Sequence, residues 1–76
     1  MRIYLGGHLN FYHPKKEKWL EVQFKDSTLL SKLLDDAGIP LSEVQLVAIN
    51  GEVVDLYDAV ATKGDEIKVF SAVGGG

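Results

Sequence analysis

The sequence predicts an α+β domain in which a mixed sheet of four to five strands carries one main helix packed across it. Apolar residues alternate with polar ones near both ends of the chain, over Arg2–Leu5, Trp19–Phe24 and Ile67–Phe70, which is the period-two pattern of half-buried strands. Between them Leu29, Leu30, Leu33, Leu34 and Ala37 recur at the spacing of one helix face. The 76 residues suffice for one small domain, which buries roughly 60% of the surface its unfolded chain exposes. The folded domain is expected over residues 1–70 and a flexible glycine tail over 71–76.

In the first strand Met1, Ile3 and Leu5 share one face, Arg2 and Tyr4 the other, and Gly6-Gly7 ends or bends it. Residues 8–17 form a connection whose second half, around Pro14, is a turn. In the second strand Leu20, Val22 and Phe24 face one way and Trp19, Glu21 and Gln23 the other, so the two strands read as an antiparallel hairpin. The helix, about ten residues long, is expected to start at Ser27 or Thr28, whose hydroxyls accept a free backbone N–H. Gly38 suits the left-handed residue after its last turn, and Pro40 prevents continuation. So short a helix is not stable alone and must press its leucine stripe against the hairpin. Val44–Ile49 is a nearly continuous apolar run that fits a central strand, and Asn50-Gly51 is a two-residue turn leading to a short returning strand, Glu52–Val54. Asp55–Thr62 is expected as a loop or single helical turn with Leu56 and Val60 tucked inward. Lys63-Gly64-Asp65 is another turn, and Ile67–Phe70 a last strand running straight into the tail.

Composition narrows the function. The chain is 46% hydrophobic and 25% charged, ordinary for a globular domain. It has no cysteine, which removes disulfides, thiol nucleophiles and zinc-thiolate sites together. A formal net charge of -3 argues against nucleic-acid binding, which normally uses a basic face. The short basic stretch Lys15-Lys16-Glu17-Lys18 reads as a solvated turn. The acidic residues Asp35, Asp36, Asp55, Asp58, Asp65 and Glu66 either steer a basic partner or serve solubility. No apolar run approaches the roughly 20 residues of a membrane helix, and Met1–His8 has no signal-peptide stretch; the expected location is the cytoplasm.

Catalytic patterns are absent from the body of the domain. His8 and His13 lie five apart with no thiol and no carboxylate pair nearby, so no metal and no bound cofactor are expected. Gly6-Gly7 is followed by neither a helix start nor a Gly-Lys-Ser/Thr element, so it is not a phosphate loop. No serine or threonine has a plausible base beside it. No catalytic residue is therefore assigned. Phe11, Tyr12, Trp19 and Phe70 are aromatics whose clustering at the surface would mark a protein contact.

The chemistry falls to the end of the sequence, Val69-Phe70-Ser71-Ala72-Val73-Gly74-Gly75-Gly76. Glycine loses more backbone freedom on ordering than any other residue, so such a run stays loose unless a partner grips it. A C-terminal carboxylate, ionised at neutral pH, can attack the α-phosphorus of ATP and become an acyl-adenylate. Glycine has no side chain to clash inside a narrow, water-excluding active site on another protein. Residues 71–76 extended span on the order of 20 Å, enough to thread a channel while the body docks outside.

The element order, the Asn50-Gly51-Glu52 turn, the stretch Lys63-Gly64-Asp65-Glu66-Ile67-Lys68-Val69-Phe70 and the terminal glycines together resemble the MoaD/ThiS family of small sulfur carriers. The resemblance spans the chain in pattern and is sharpest over residues 47–56 and 63–76. It implies a ubiquitin-like β-grasp, in which the first and last strands pair in parallel at the centre of the sheet. It also implies that the terminal glycine is adenylated by an E1-like enzyme, which uses ATP, and is then converted to a thiocarboxylate with sulfur from a donor. That sulfur passes to a sulfur-accepting synthase subunit in cofactor biosynthesis, with molybdopterin first and thiamine or tRNA thiolation next. The protein would be a cosubstrate rather than an enzyme. By position, Gly76 would carry the sulfur, Gly74 and Gly75 would thread the activating channel, and Phe70 and Val73 would contact partners. Ser71-Ala72-Val73 stands where many molybdopterin-synthase small subunits carry Pro-Pro-Val, and three glycines stand where two are usual. The long segment 6–18 favours the MoaD-like side. Two other readings remain: a ubiquitin-like modifier that uses the same adenylate to join lysines, and a plain interaction module with an idle glycine run.

Overall fold

The computed structural model describes residues 1–72. Seven strands and one helix follow in chain order: β1 (Arg2–Gly6), β2 (Trp19–Glu21), β3 (Ser27–Leu29), α1 (Leu30–Asp36), β4 (Leu46–Ile49), β5 (Glu52–Val54), β6 (Val60–Thr62) and β7 (Ile67–Phe70). Five of them form one mixed sheet in the order β2-β1-β7-β4-β5. β1 and β7 run parallel at its centre, with Ile3 opposite Ile67 and Gly6 opposite Phe70; every other pair is antiparallel. This is the ubiquitin-like β-grasp that the family resemblance implied.

The alternation works as a sorting rule. Ile3 and Leu5 of β1, Leu20 of β2, Val47 of β4 and Ile67 and Val69 of β7 all turn inward and are buried. They meet Leu30, Leu33 and Leu34 of α1 and Ile39 in one apolar core. Phe24, expected on the same face as Leu20, is partly buried against that core, although β2 itself ends at Glu21. The segment after β1 contains a 3-10 turn, Leu9–Tyr12, that seats Leu9 fully inside the core.

The start of the helix differs from the expectation. Ser27 and Thr28 do not cap it; they lie in β3, which pairs with β6 in a separate two-stranded ribbon, Ser27 opposite Thr62 and Leu29 opposite Val60. The N-cap position is Leu29, without any side-chain cap bond, and the first helical N–H, on Leu30, donates to the carbonyl of Ala59 at 3.0 Å. The helix therefore has seven residues instead of about ten. A backbone carbonyl from the ribbon takes the place of a hydroxyl, because an unpartnered N–H at a buried helix start is costly. The ribbon also reverses two burial expectations. Leu29 and Val60 are exposed, while Ala59 and Ala61 are buried; Leu56 is partly buried, as expected.

The far end of α1 follows its sequence. Gly38 has φ +83°, Gly38 N–H donates to Asp35 and Ile39 N–H to Leu34, the bond pair of a Schellman motif, with Leu34 and Ile39 both buried beneath it. Asn50 and Gly51 both have positive φ, as a two-residue hairpin turn with right-handed strand twist requires. Asn50 does more than turn. Its Nδ2 donates to Asp65 Oδ1 at 3.0 Å and its Oδ1 accepts from Glu66 N–H at 2.9 Å, while Asp65 Oδ2 accepts from Thr62 N–H at 2.9 Å. The Asn-Gly-Glu and Lys-Gly-Asp-Glu stretches are thus two halves of one brace at one end of the sheet.

Core and ribbon positions should respond differently to truncation. Leu34→Ala empties a fully buried site and should cost about 2–5 kcal/mol. Val60→Ala removes an exposed side chain and should cost under about 1 kcal/mol. Urea denaturation of the two variants reads both, and comparable losses would contradict the outward orientation of Val60.

Candidate functional site

The end of β7 brings together what the sequence separates. Phe70 points to the outer face of the sheet, opposite the side covered by α1, and is half-buried there. Its register partners are Gly6 on β1 and Leu46 on β4. A Cβ on Gly6 would overlap the Phe70 ring, so the ring lies on bare backbone, a contact open only to glycine. Next along the face stands Tyr4, its ring centroid 6.0 Å from Phe70 and 5.1 Å, edge-on, from Trp19. The Arg2 guanidinium sits 4.6 Å above the Trp19 ring, near enough for a cation–π contact. Tyr4, Trp19, Glu66, Lys68 and Phe70 line an open depression of about 500 Å³.

Leu46 and Val53 extend the apolar character of the same face toward β5, and with Trp19 they are among the exposed large hydrophobics of the domain. Exposed apolar side chains grouped on one face, rimmed by Arg2, Glu66 and Lys68, are the composition of a protein-docking surface. Two of the four aromatics singled out from the sequence, Trp19 and Phe70, join this face through Tyr4. Phe11 and Tyr12 are exposed on the 3-10 turn instead. Tyr4 and Leu46 were not singled out. The parallel pairing of β1 with β7 and the antiparallel pairing of β4 with β7 bring them to Phe70, and neither pairing is visible in local sequence.

Beyond Phe70 the described chain continues through Ser71 and Ala72. Ser71, read from the sequence as the first tail residue, has a buried side chain; Ala72 is exposed. Val73, Gly74, Gly75 and Gly76, the remaining residues assigned to partner contact, threading and sulfur carriage, lie outside the described residues.

Among the described residues no three His, Asp or Glu side chains gather as a metal-binding group. The His8 ring stacks on Phe11 at 5.8 Å, and His13 Nδ1 accepts the N–H of Lys15 at 2.9 Å, so the two histidines serve separate local contacts. No helix among the described residues is long and apolar enough to cross a membrane.

A β-grasp body with an aromatic outer face beside the exit of its central strand defines the chain as a ubiquitin-like module. The family model for Mut7-C ubiquitin matches residues 1–73, and the chain belongs to that family. Among solved structures it is similar to the thiamine biosynthesis protein ThiS from Geobacter metallireducens, with 22% identity, a TM-score of 0.59 and 100% of both chains covered. At that identity the likeness establishes the fold, a ubiquitin-like β-grasp. No curated protein sequence matches it.

The contact between Gly6 and Phe70 is open to a direct check. Gly6→Ala forces the Phe70 ring off the sheet and should cost about 1–3 kcal/mol. In a Phe70→Ala background the same change should cost clearly less, because no ring remains to displace. A thermal-denaturation double-mutant cycle measures the difference; additive costs would rule out the contact.

Proposed function

We propose that this protein is a sulfur carrier that acts as a cosubstrate. In this reading Gly76 is the C-terminal residue. Its carboxylate oxygen attacks the α-phosphorus of ATP in an E1-like enzyme, pyrophosphate leaves, and an acyl-adenylate forms. The terminal sulfur of a donor persulfide then attacks the carbonyl and AMP leaves, giving an acyl disulfide; a thiol attacks the donor-side sulfur, forms a disulfide with the donor, and the thiocarboxylate departs. A synthase subunit accepts that sulfur in cofactor biosynthesis. Molybdopterin is the first candidate pathway, with thiamine and thiolated tRNA next. The reducing cytoplasm is the compartment this chemistry calls for.

One observation carries the reading: the central strand of the sheet leads past an exposed aromatic and apolar face directly toward the glycines. A partner that docks on that face is placed beside the point where the chain departs. Membership in a ubiquitin-like family and the ThiS-like fold both support it. The body supplies recognition through Phe70, Tyr4 and Trp19, and Val73 adds a contact on the departing chain. Gly74 and Gly75 supply a backbone without side chains for passage into the activating site, and Gly76 supplies the reacting group. ATP belongs to the activating enzyme.

Intact-mass analysis of the protein purified gently from its own host tests this. The expected result is a fraction heavier by the difference between sulfur and oxygen, sensitive to alkylation and mapped to Gly76. Heavy conjugates joined through Gly76 would point instead to a protein modifier. In the same assay Gly75→Val should reduce loading by about a hundredfold or more, since a branched side chain blocks passage and small misplacements at a reacting centre cost that much. Its folding stability should change by less than about 0.5 kcal/mol. Normal loading of that variant would contradict threading.

A further inference from the structure

The chain just beyond the last strand is held by a hydroxyl with backbone partners on two segments. The body of the sheet ends with Phe70, yet the next side chain, Ser71, is buried at 8% exposure and is polar. Its Oγ accepts the backbone N–H of His8 at 2.7 Å and donates to the carbonyl of Ala72 at 3.3 Å. Gly7 closes over it. This glycine has φ +63°, and a Cβ there would overlap Ser71 Oγ and crowd the Ser71 backbone. The segment that forms this collar is itself fixed, because Leu9, two residues beyond Gly7, is fully buried in the core. One hydroxyl therefore ties together the loop at His8, the residue that follows the last strand, and the carbonyl of Ala72.

Resting on the carrier reading above, we propose that Ser71 is a positioning residue for transfer at Gly76: it fixes the point and direction from which the chain leaves the sheet. Packing alone does not call for a hydroxyl here. A small apolar side chain would fill the same space but leave the His8 N–H without this acceptor, and the bond to the Ala72 carbonyl lies beyond the last strand. It orients the peptide that leads outward. The five residues from Ala72 to Gly76 span about 17 Å at full extension. The terminal carboxylate must meet the α-phosphorus within that reach. A fixed origin confines its search once the body has docked, whereas a loose origin adds free residues and spreads the terminus over a larger volume.

The test compares wild type, Ser71→Ala and Ser71→Thr. Backbone amide relaxation and exchange read the anchor directly. Ser71→Ala should make the His8 amide exchange faster and lower the order of the Ala72 amide, with the fold intact by thermal melt. Intact mass of the three proteins, purified at equal level from the native host, reads the consequence. Gly76 thiocarboxylate should fall about two- to tenfold in Ser71→Ala, the lower end from chain length and the rest from lost orientation. Ser71→Thr, which keeps the accepting oxygen, should restore it. Wild-type loading in Ser71→Ala overturns the proposal, as does a threonine variant as poor as the alanine one. Absence of thiocarboxylate from the wild type overturns the carrier reading instead. The Ala72 measurement then decides the anchor alone, with reduced order in Ser71→Ala upholding it and unchanged order removing it.

Discussion

The structure depends on the parallel pairing of β1 with β7. These strands come from opposite ends of the described chain, and their register sets Ile3 against Ile67 and Leu5 against Val69. All four residues are buried, so the pairing forms the floor on which α1 rests. A parallel pair needs a long crossover, and here nearly everything in the sequence is that crossover. The closure entropy of so large a loop must be met before the pair rewards it. The core leucines of α1 and the ends of the hairpins supply the compensation. Without the central pair the sheet would divide into a two-stranded hairpin, β1 with β2, and a three-stranded piece, β7 with β4 and β5, and an isolated two-stranded hairpin is marginal at best in water.

The same pairing produces the outer face. With Ile67 and Val69 inward, Lys68 and Phe70 must point outward, and β1 answers with Tyr4 and the bare backbone of Gly6. One face of the sheet is therefore committed to the core and the other is free to be recognised. Antiparallel neighbours add Trp19 on one side and Leu46 on the other. The aromatic group was assembled by register, with no local motif to announce it, and it stands where the chain leaves the sheet because the central strand is also the strand that leads to the glycines.

Much of this was legible in the sequence, and the failures have physical causes. The alternation in β1 and β7, the Asn50-Gly51 turn and the Gly38 stop each depend on residues adjacent in the chain, and each matched. The β3–β6 ribbon did not show, because each of its strands is three residues long and neither has a pattern without the other. Ser27 and Thr28 are as suitable for a strand as for a cap, and the distant segment Val60–Thr62 decided between them. Ser71 was unreadable for the same reason: its burial depends on Gly7, which reaches it only through the β1–β7 register. At the candidate site, Phe70 and Trp19 were recognised as residue types that mark contacts, whereas their companion Tyr4 needed the fold.

The brace at Asn50 has a chemical consequence as well as a mechanical one. An asparagine followed by glycine is the dipeptide most exposed to spontaneous succinimide formation, in which the next backbone nitrogen attacks the side-chain amide carbon and ammonia departs. Here both ends of that amide are occupied, the oxygen by the Glu66 N–H and the nitrogen by the Asp65 carboxylate. Swinging the amide toward the Gly51 nitrogen breaks both bonds at once. The turn thus keeps a residue pair suited to its backbone shape, while the contact between two loops opposes the motion that pair's own ageing reaction requires.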